Sequence, residues 1–438
     1  MYSRVIVALV RPRGAAVAIT RILTLYLITS LCFFQGARAT EDNRATEDNR
    51  VTEDNRVTDN NRVTEDISVA EHISAGHTED TDLSASERLP LSLHGPWPMP
   101  VPPDPGNEYS GLPWAEEVGR LLFHDTGLSG GGRLSCATCH QAERGFADGQ
   151  PVAIGNETHF RNTQSLYNVG LQRWFGWDGG TDSLWAAAMR PLLSPMEMGS
   201  SVSAIAQYLR QSEPYHRYLE RTVSDKVIAL NAMTDQAIAV KATKLIAAYV
   251  RTIGSERTPF DRFRDAVAQG QSVDASDFSA SAGRGLKIFL GEANCHVCHY
   301  GANFSNGEFH DVGRPFFTGV GRVDPGRYRG IERLRDDPYR LSGEYNGTND
   351  VAEIRKTERV RQTRADWGRW RTPGLRNLTE TAPYMHDGSL ATLRDVVDAY
   401  ADINPSRLHT EGESILKPLA LTEQERQDLV TFLKSLSP

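Results

Sequence analysis

Two short segments of this chain carry one pattern: Cys136-Ala137-Thr138-Cys139-His140 and Cys295-His296-Val297-Cys298-His299. Cys-x-x-Cys-His is the attachment pattern of a c-type haem. The two thiols form thioethers with the porphyrin, and the adjacent histidine is placed to ligate iron. Two Cys-x-x-Cys pairs could instead hold one zinc ion, or close as disulfides in an exported chain. The pairs stand roughly 155 residues apart, far beyond zinc spacing, and neither alternative uses a histidine directly after both. The chain is therefore expected to carry two covalently bound haem c groups, and its chemistry to be electron transfer and oxidation at iron.

Covalent haem attachment takes place outside the cytoplasm, and the N-terminus agrees. Arg4, Arg11, Arg13 and Arg21 precede an apolar run from Ile22 to Phe34, and Ala37-Arg38-Ala39 fits a small-x-small cleavage site. The run is short for a membrane-spanning helix, so residues 1–39 are expected to be a cleaved signal peptide; a membrane association would follow only if it were retained. The expected compartment is the periplasm. Cys32, the fifth cysteine, leaves with the signal, and the other four are used by haem. The signal holds five arginines and no acidic residue, so its removal takes the formal charge from −8 to −13. A chain this acidic is not expected to bind nucleic acid. It suits electrostatic steering of a basic redox partner.

After the signal comes an acidic six-residue repeat, Thr40-Glu-Asp-Asn-Arg-Ala45 with small changes as far as Val63. It has almost no apolar surface to bury, so it is expected to be disordered. A Pro-rich stretch, Pro96 to Pro103, follows, and residues 40–105 together are expected to be a linker. The remainder suits two domains, an N-terminal haem c domain at 106–270 and a C-terminal one at 271–438, with the boundary near Asp261–Asp277. Helical periodicity covers Trp114–Phe123, Ser203–Arg210, Gln236–Ile253, Ala280–Phe289, Leu393–Ala401 and Thr422–Leu436, the last opening on the capping-box pattern Thr422-Glu-Gln-Glu425. Alternating strand patterns are few. The expected class is mostly α, with two cytochrome c-like haem domains in tandem.

Further motifs fall in order along residues 110–436. They are Leu121-Leu-Phe-His-Asp125, Arg161-Asn162, Gly176-Trp177-Asp178-Gly179, Pro195-Met-Glu197-Met198, Arg371-Thr-Pro373 with Leu375-Arg-Asn377, and Thr381-Ala-Pro-Tyr-Met-His-Asp-Gly388. In these the chain resembles the bacterial dihaem cytochrome c peroxidase family, including its methylamine-dehydrogenase-maturing branch, MauG. The resemblance implies that the haem on His140 is peroxidatic and that the haem on His299 is six-coordinate and exchanges electrons. It implies a Trp between the haems at Trp177, an acid over the peroxide site at Glu197 and a distal proline at Pro191. It also implies one calcium ion held by the Asn162 side chain and the carbonyls of Thr381 and Pro383. Glu197 then suits the proton transfer that heterolytic peroxide cleavage needs, and oxygen ligands suit calcium. Arg371 and Arg376 are candidates to pair with haem propionates.

Ordinary members of the family place a methionine fourteen residues beyond the histidine of Pro-Tyr-x-His-Asp-Gly. Counting from His386 gives Tyr400, and MauG also has tyrosine there. A phenolate is a hard anionic ligand that favours oxidised iron. Tyr400 is thus the expected distal ligand of the second haem. Two positions depart from MauG: a distal glutamine corresponds to Ala187, and a surface tryptophan corresponds to Ala293. Oxidising equivalents would then leave by another route, for which Trp174, Trp185, Trp367 and Trp370 are candidates. A histidine that ligates the resting first haem in some members falls near Ile154. His159 is close to that position, and His124 is expected to be structural. The function expected is a periplasmic MauG-like peroxidase that reduces hydrogen peroxide and oxidises a partner. That partner would be a donor cytochrome, a copper protein or a protein substrate. The alternatives are a conventional cytochrome c peroxidase and a non-catalytic dihaem electron carrier.

Overall fold

A computed structural model describes residues 83–438, apart from 105, 224–225, 272–275, 315–316, 320, 349, 405 and 407–415. The expected signal peptide with Cys32, and the acidic repeat, lie outside the described residues. Among the described residues, no helix is long and apolar enough to cross a membrane.

The described chain is mostly helical, with two small two-stranded sheets. The first apolar core is built on the helix Asp235–Val250. Pro113–His124, Leu184–Leu193 and Val202–Gln211 pack against it. Its Thr234 cap accepts from the Ala237 amide, and its alanines bring the neighbours close. Val118, Leu122, Trp185, Met189, Ile205, Leu209, Ile238 and Leu245 fill the centre. The second core is built on Ala280–Leu290 crossing Glu423–Lys434. Leu286, Phe289, Phe304, Leu429 and Phe432 fill it.

Each core has a helix crossing at a glycine. A Cβ on Gly119 would stand 2.0 Å from the Leu245 carbonyl oxygen, and one on Gly285 would stand 2.1 Å from that of Asp428. Only a residue without a side chain lets these backbones approach so closely. Arg284, beside Gly285, also pairs with the buried Asp428 carboxylate at 2.7 Å.

The expected helices are present, with small shifts at their ends. Leu393–Ala401 runs as read. Thr422 is the cap of its helix rather than its first residue, and the capping box with Glu425 is formed. The helix expected over Gln236–Ile253 stops at Val250, where the chain tightens into i→i+3 turns ahead of Gly254. Helices at Pro259–Ala268, Arg327–Asp336 and Val351–Glu358 were not legible from periodicity.

One expectation needs correction. The end of the expected linker, from Leu83 to Asp104, is folded. Ser84 and Glu87 form a capping box that starts the helix Ala85–Ser92. Leu83, Leu91, His94 and Trp97 are all buried. Leu83 and Leu91 join the second core, and the Trp97 indole donates to the Ser255 carbonyl at 3.1 Å. A few large apolar anchors outweigh a Pro-rich average composition. Phe260 and Phe263, placed in the N-terminal domain from sequence, also pack in the second core.

Candidate metal centres

The first centre forms where Cys136–Cys139 makes a single helical turn that ends at His140. The His140 Nδ1 lies 3.0 Å from the Phe146 carbonyl oxygen. A carbonyl only accepts, so Nδ1 carries the proton and Nε2 is left free to ligate. Burial pushes the Cys136 thiol up to about 12 and the Cys139 thiol up to about 11.

Glu197 is brought to this centre by its backbone. Its carbonyl accepts from the Asn156 amide at 2.9 Å, and that of Met196 accepts from Glu157 at 2.9 Å. The same 153–159 segment places the Ile154 carbonyl 3.9 Å from Cys139 Sγ. The Glu197 carboxylate acts electrostatically on Cys139, His140, His159 and Arg190. Pro191 lies inside the helix Leu184–Leu193, and its carbonyl accepts from the Met198 amide at 3.1 Å, folding the Glu197 segment back onto that helix.

Arg190 was missed from sequence. It sits on the same helix one turn after Ala187, so the two share a face. Burial pulls its guanidinium below its usual range, and its Nη1 has no hydrogen-bond partner. An arginine three residues past the vacant glutamine position was the available signal. A guanidinium that feels the Glu197 carboxylate and keeps one buried nitrogen without a partner fits a group with acidic side chains.

His159 joins this neighbourhood. Its Nδ1 accepts from the Arg161 amide at 3.1 Å, and its ring stacks on Phe160. Ile154 is more than half exposed. His124 lies exposed at a helix end. The neighbouring Asp125 accepts from the Tyr208 and Tyr215 hydroxyls at 2.9 and 2.7 Å, which accounts for that motif by packing.

Trp177 is tied by hydrogen bonds to the Arg161-Asn162 and Arg371-Thr-Pro373 motifs. Its indole donates to the Asn162 carbonyl at 2.9 Å, and its own carbonyl accepts from the Arg371 amide at 2.9 Å. Arg161 is buried with Asp324, through bonds of 2.6 and 2.8 Å, and with Asp178 at 2.6 Å. Arg333 also binds Asp178. The Asn162 amide donates to the His386 carbonyl at 2.8 Å.

The second centre is a cavity with about 2090 Å³ of atom-free space, including its open mouth. Cys295, Cys298, His299, Tyr400 and Trp177 all line it. His299 repeats the His140 arrangement, with Nδ1 3.0 Å from the Phe304 carbonyl oxygen. Burial lowers the His299 ring to about 4, so it stays neutral as a ligand must be. Burial raises the Tyr400 hydroxyl above its usual range, with the two nearby cysteines adding to the shift. Only a cation in the cavity would hold it as a phenolate.

Arg371 and Trp370 line the same cavity. Burial pulls Arg371 down to about 10; it donates only to carbonyls, at 3.3 Å to Gly176 and 3.4 Å to Thr372. The Trp370 indole nitrogen is buried without a partner. Two donors without an anion fit a group that brings carboxylates. Arg376, the other arginine considered from sequence, is already committed. It binds Asp261 through two bonds of 2.8 Å and stacks on Trp97.

Asn162, Thr381 and Pro383 all line this cavity as well. The Asn162 amide nitrogen donates to the Gln150 carbonyl at 2.9 Å, leaving its side-chain oxygen available. Among the described residues, no cluster of three or more His, Cys, Asp or Glu could hold a metal. Of the other tryptophans, Trp185 is in the first core. Trp174 is buried under the Arg173 and Arg327 guanidiniums, and Trp367 packs on Tyr328.

Residues 113–269 match the family model described as di-haem cytochrome c peroxidase. A cytochrome-c peroxidase of Pseudomonas sp. (strain SCT) is 32% identical over 78% of this chain and 84% of that protein. The methylamine utilization protein MauG of Methylorubrum extorquens is 30% identical over 83% of this chain and 89% of that protein. The crystal structure of a MauG-like protein associated with microbial copper homeostasis covers 78% of this chain and 95% of its own, at 28% identity and a TM-score of 0.56. The chain thus belongs to the dihaem cytochrome c peroxidase family and is a haem peroxidase acting on hydrogen peroxide.

Proposed function

We propose that the chain is a periplasmic peroxidase of the MauG-like subtype, with a peroxidatic centre at His140 and an electron-exchanging centre at His299 and Tyr400. The observation that carries this reading is the placement of Tyr400 in one cavity with Cys295, Cys298 and His299. A phenolate at that position makes iron harder to reduce, which suits withdrawal of electrons from a demanding partner rather than collection from a small cytochrome. The repeated glycine crossing at Gly119 and Gly285, one per haem motif, supports two cytochrome c-like domains in tandem.

Bound haem supplies iron at which peroxide is reduced and electrons are passed on. The residues of the chain do the remaining work. Glu197 takes the proton from the oxygen nearer the centre and delivers it to the leaving oxygen. Arg190 provides positive charge on the helix face where Ala187 leaves no polar group. Pro191 shapes that same face. Trp177 carries electrons between the two centres, held at both ends by Asn162 and Arg371. The Asn162 side chain and the carbonyls of Thr381 and Pro383 hold calcium, which ties residues of the two motifs together. The partner that gives up electrons is a protein, and the strongly acidic mature chain favours one with a basic face.

The test is to add hydrogen peroxide to the fully oxidised holoprotein. A MauG-like enzyme reacts at once, with spectral changes at both haems. A conventional cytochrome c peroxidase stays inert until one haem is reduced, and that outcome would replace this reading.

A further inference from the structure

The folded segment ahead of the family-matched residues carries a histidine that the peroxidase chemistry leaves unused. His94 is 1% exposed. Its Nδ1 lies 3.2 Å from the Gly301 carbonyl oxygen, so the proton sits on Nδ1. Its Nε2 is buried without a partner. The ring stacks on Phe304 with centroids 4.6 Å apart and meets Phe260 and Phe289 edge-on.

Gly301 and Phe304 belong to the loop that holds His299. The Phe304 amide donates to the Gly301 carbonyl at 2.8 Å, and the Phe304 carbonyl accepts the His299 Nδ1 proton at 3.0 Å. Phe304 sits at φ +52°, a left-handed conformation that a phenylalanine adopts only when its surroundings impose it. His94 grips this loop twice, at the Gly301 oxygen and at the Phe304 ring. The first centre offers an internal comparison. His140 bonds to Phe146 in the same way, and Phe146 is also left-handed, at φ +56°. Phe146 is only half-buried and meets Tyr167 edge-on.

We propose that His94 is a positioning residue for the axial ligand of the second haem. By fixing Gly301 and Phe304 it fixes the carbonyl that accepts from His299, and so sets how strongly His299 donates to iron. Outer partners of a ligating histidine orient its ring and raise its basicity. The N-terminal strap is then part of the second centre, and the first centre, where Phe146 meets Tyr167, is left unaffected by it. This inference rests on His299 ligating the second haem.

Two substitutions in the holoprotein separate its two contacts. His94→Phe keeps the ring stack and removes the Nδ1–H donor. His94→Asn offers a short amide donor near the Nδ1 position and removes the stack. With His94→Phe, the reduction equilibrium of the second haem should move about three- to tenfold toward the reduced form, tenfold being ~59 mV for one electron. The first haem should not move. With His94→Asn the melting temperature should fall, while the second haem's potential stays near wild type. The proposal is overturned if His94→Phe leaves the potential and the low-spin ferric spectrum of the second haem unchanged, or if both variants shift them equally. If His94→Phe fails to accumulate, His94→Ala takes its place: a shift in Ala but not in Asn supports the proposal, and equal shifts overturn it. Haem content separates the two levels, because fewer than two haems per wild-type chain would remove the assignment of His299 itself.

Discussion

Arg161 and Asp178 form a buried ion pair at 2.6 Å, and the next residue of one meets the preceding residue of the other: the Asn162 carbonyl accepts the Trp177 indole proton at 2.9 Å. The two bonds lie side by side and explain two motifs at once. Arg161-Asn162 and Gly176-Trp177-Asp178-Gly179 are separate in sequence because each supplies half of one clamp. The clamp holds the Trp177 indole in a fixed place on the wall of the cavity that Cys295, Cys298 and His299 line.

Trp177→Phe keeps an aromatic ring and loses the hydrogen bond and the more easily oxidised indole. Haem content and the initial reaction with peroxide should be unchanged. Transfer between the centres should slow by at least about tenfold, a barrier increase of ~1.4 kcal/mol. Stopped-flow spectra of the second haem after peroxide addition measure it, and a wild-type rate would leave Trp177 as packing alone.

Glu197→Gln preserves shape and removes the base. Peroxide cleavage should slow by about 10²-fold or more. The expected result includes normal haem content and normal spectra before peroxide is added. A variant with undiminished single-turnover rates would take Glu197 out of the chemistry.

Gly285→Ala tests the second core at the crossing of its two helices. Its Cβ would meet backbone atoms of Asp428 at 2.1 and 2.5 Å, which cannot swing aside as a side chain could. The helices Ala280–Leu290 and Glu423–Lys434 must separate, at a cost of about 1–3 kcal/mol. Thermal melts followed by circular dichroism should show the loss. Gly119→Ala should behave alike against Leu245 in the first core.

The haem motifs were legible because each packs attachment chemistry into five consecutive residues. The long amphipathic helices were legible because one face of each is buried, as in Leu393–Ala401. The helix Leu184–Leu193 was not, since Pro191 interrupts its pattern and most of its faces are covered. The Leu83–Asp104 strap was hidden by its composition; its order comes from partners distant in sequence, such as Trp97 with Ser255 and Arg376. Arg376 shows the same limit. Its propionate role was inferred from charge and proximity to a motif, but its actual partner, Asp261, lies 115 residues away. Arg190 and Trp370 stand out only through unpartnered nitrogens, a property of three-dimensional packing.

The most direct test of this account is the electron paramagnetic resonance spectrum of the oxidised two-haem protein, wild type against Tyr400→His. The account predicts a low-spin ferric signal from the second haem in both, with g-values that move when phenolate gives way to imidazole. It also predicts a higher potential for the second haem in the variant and faster loss of the oxidised state reached after peroxide. Superimposable spectra, with the same potential and the same decay, would show that Tyr400 merely fills the cavity and that the conventional peroxidase reading is the right one.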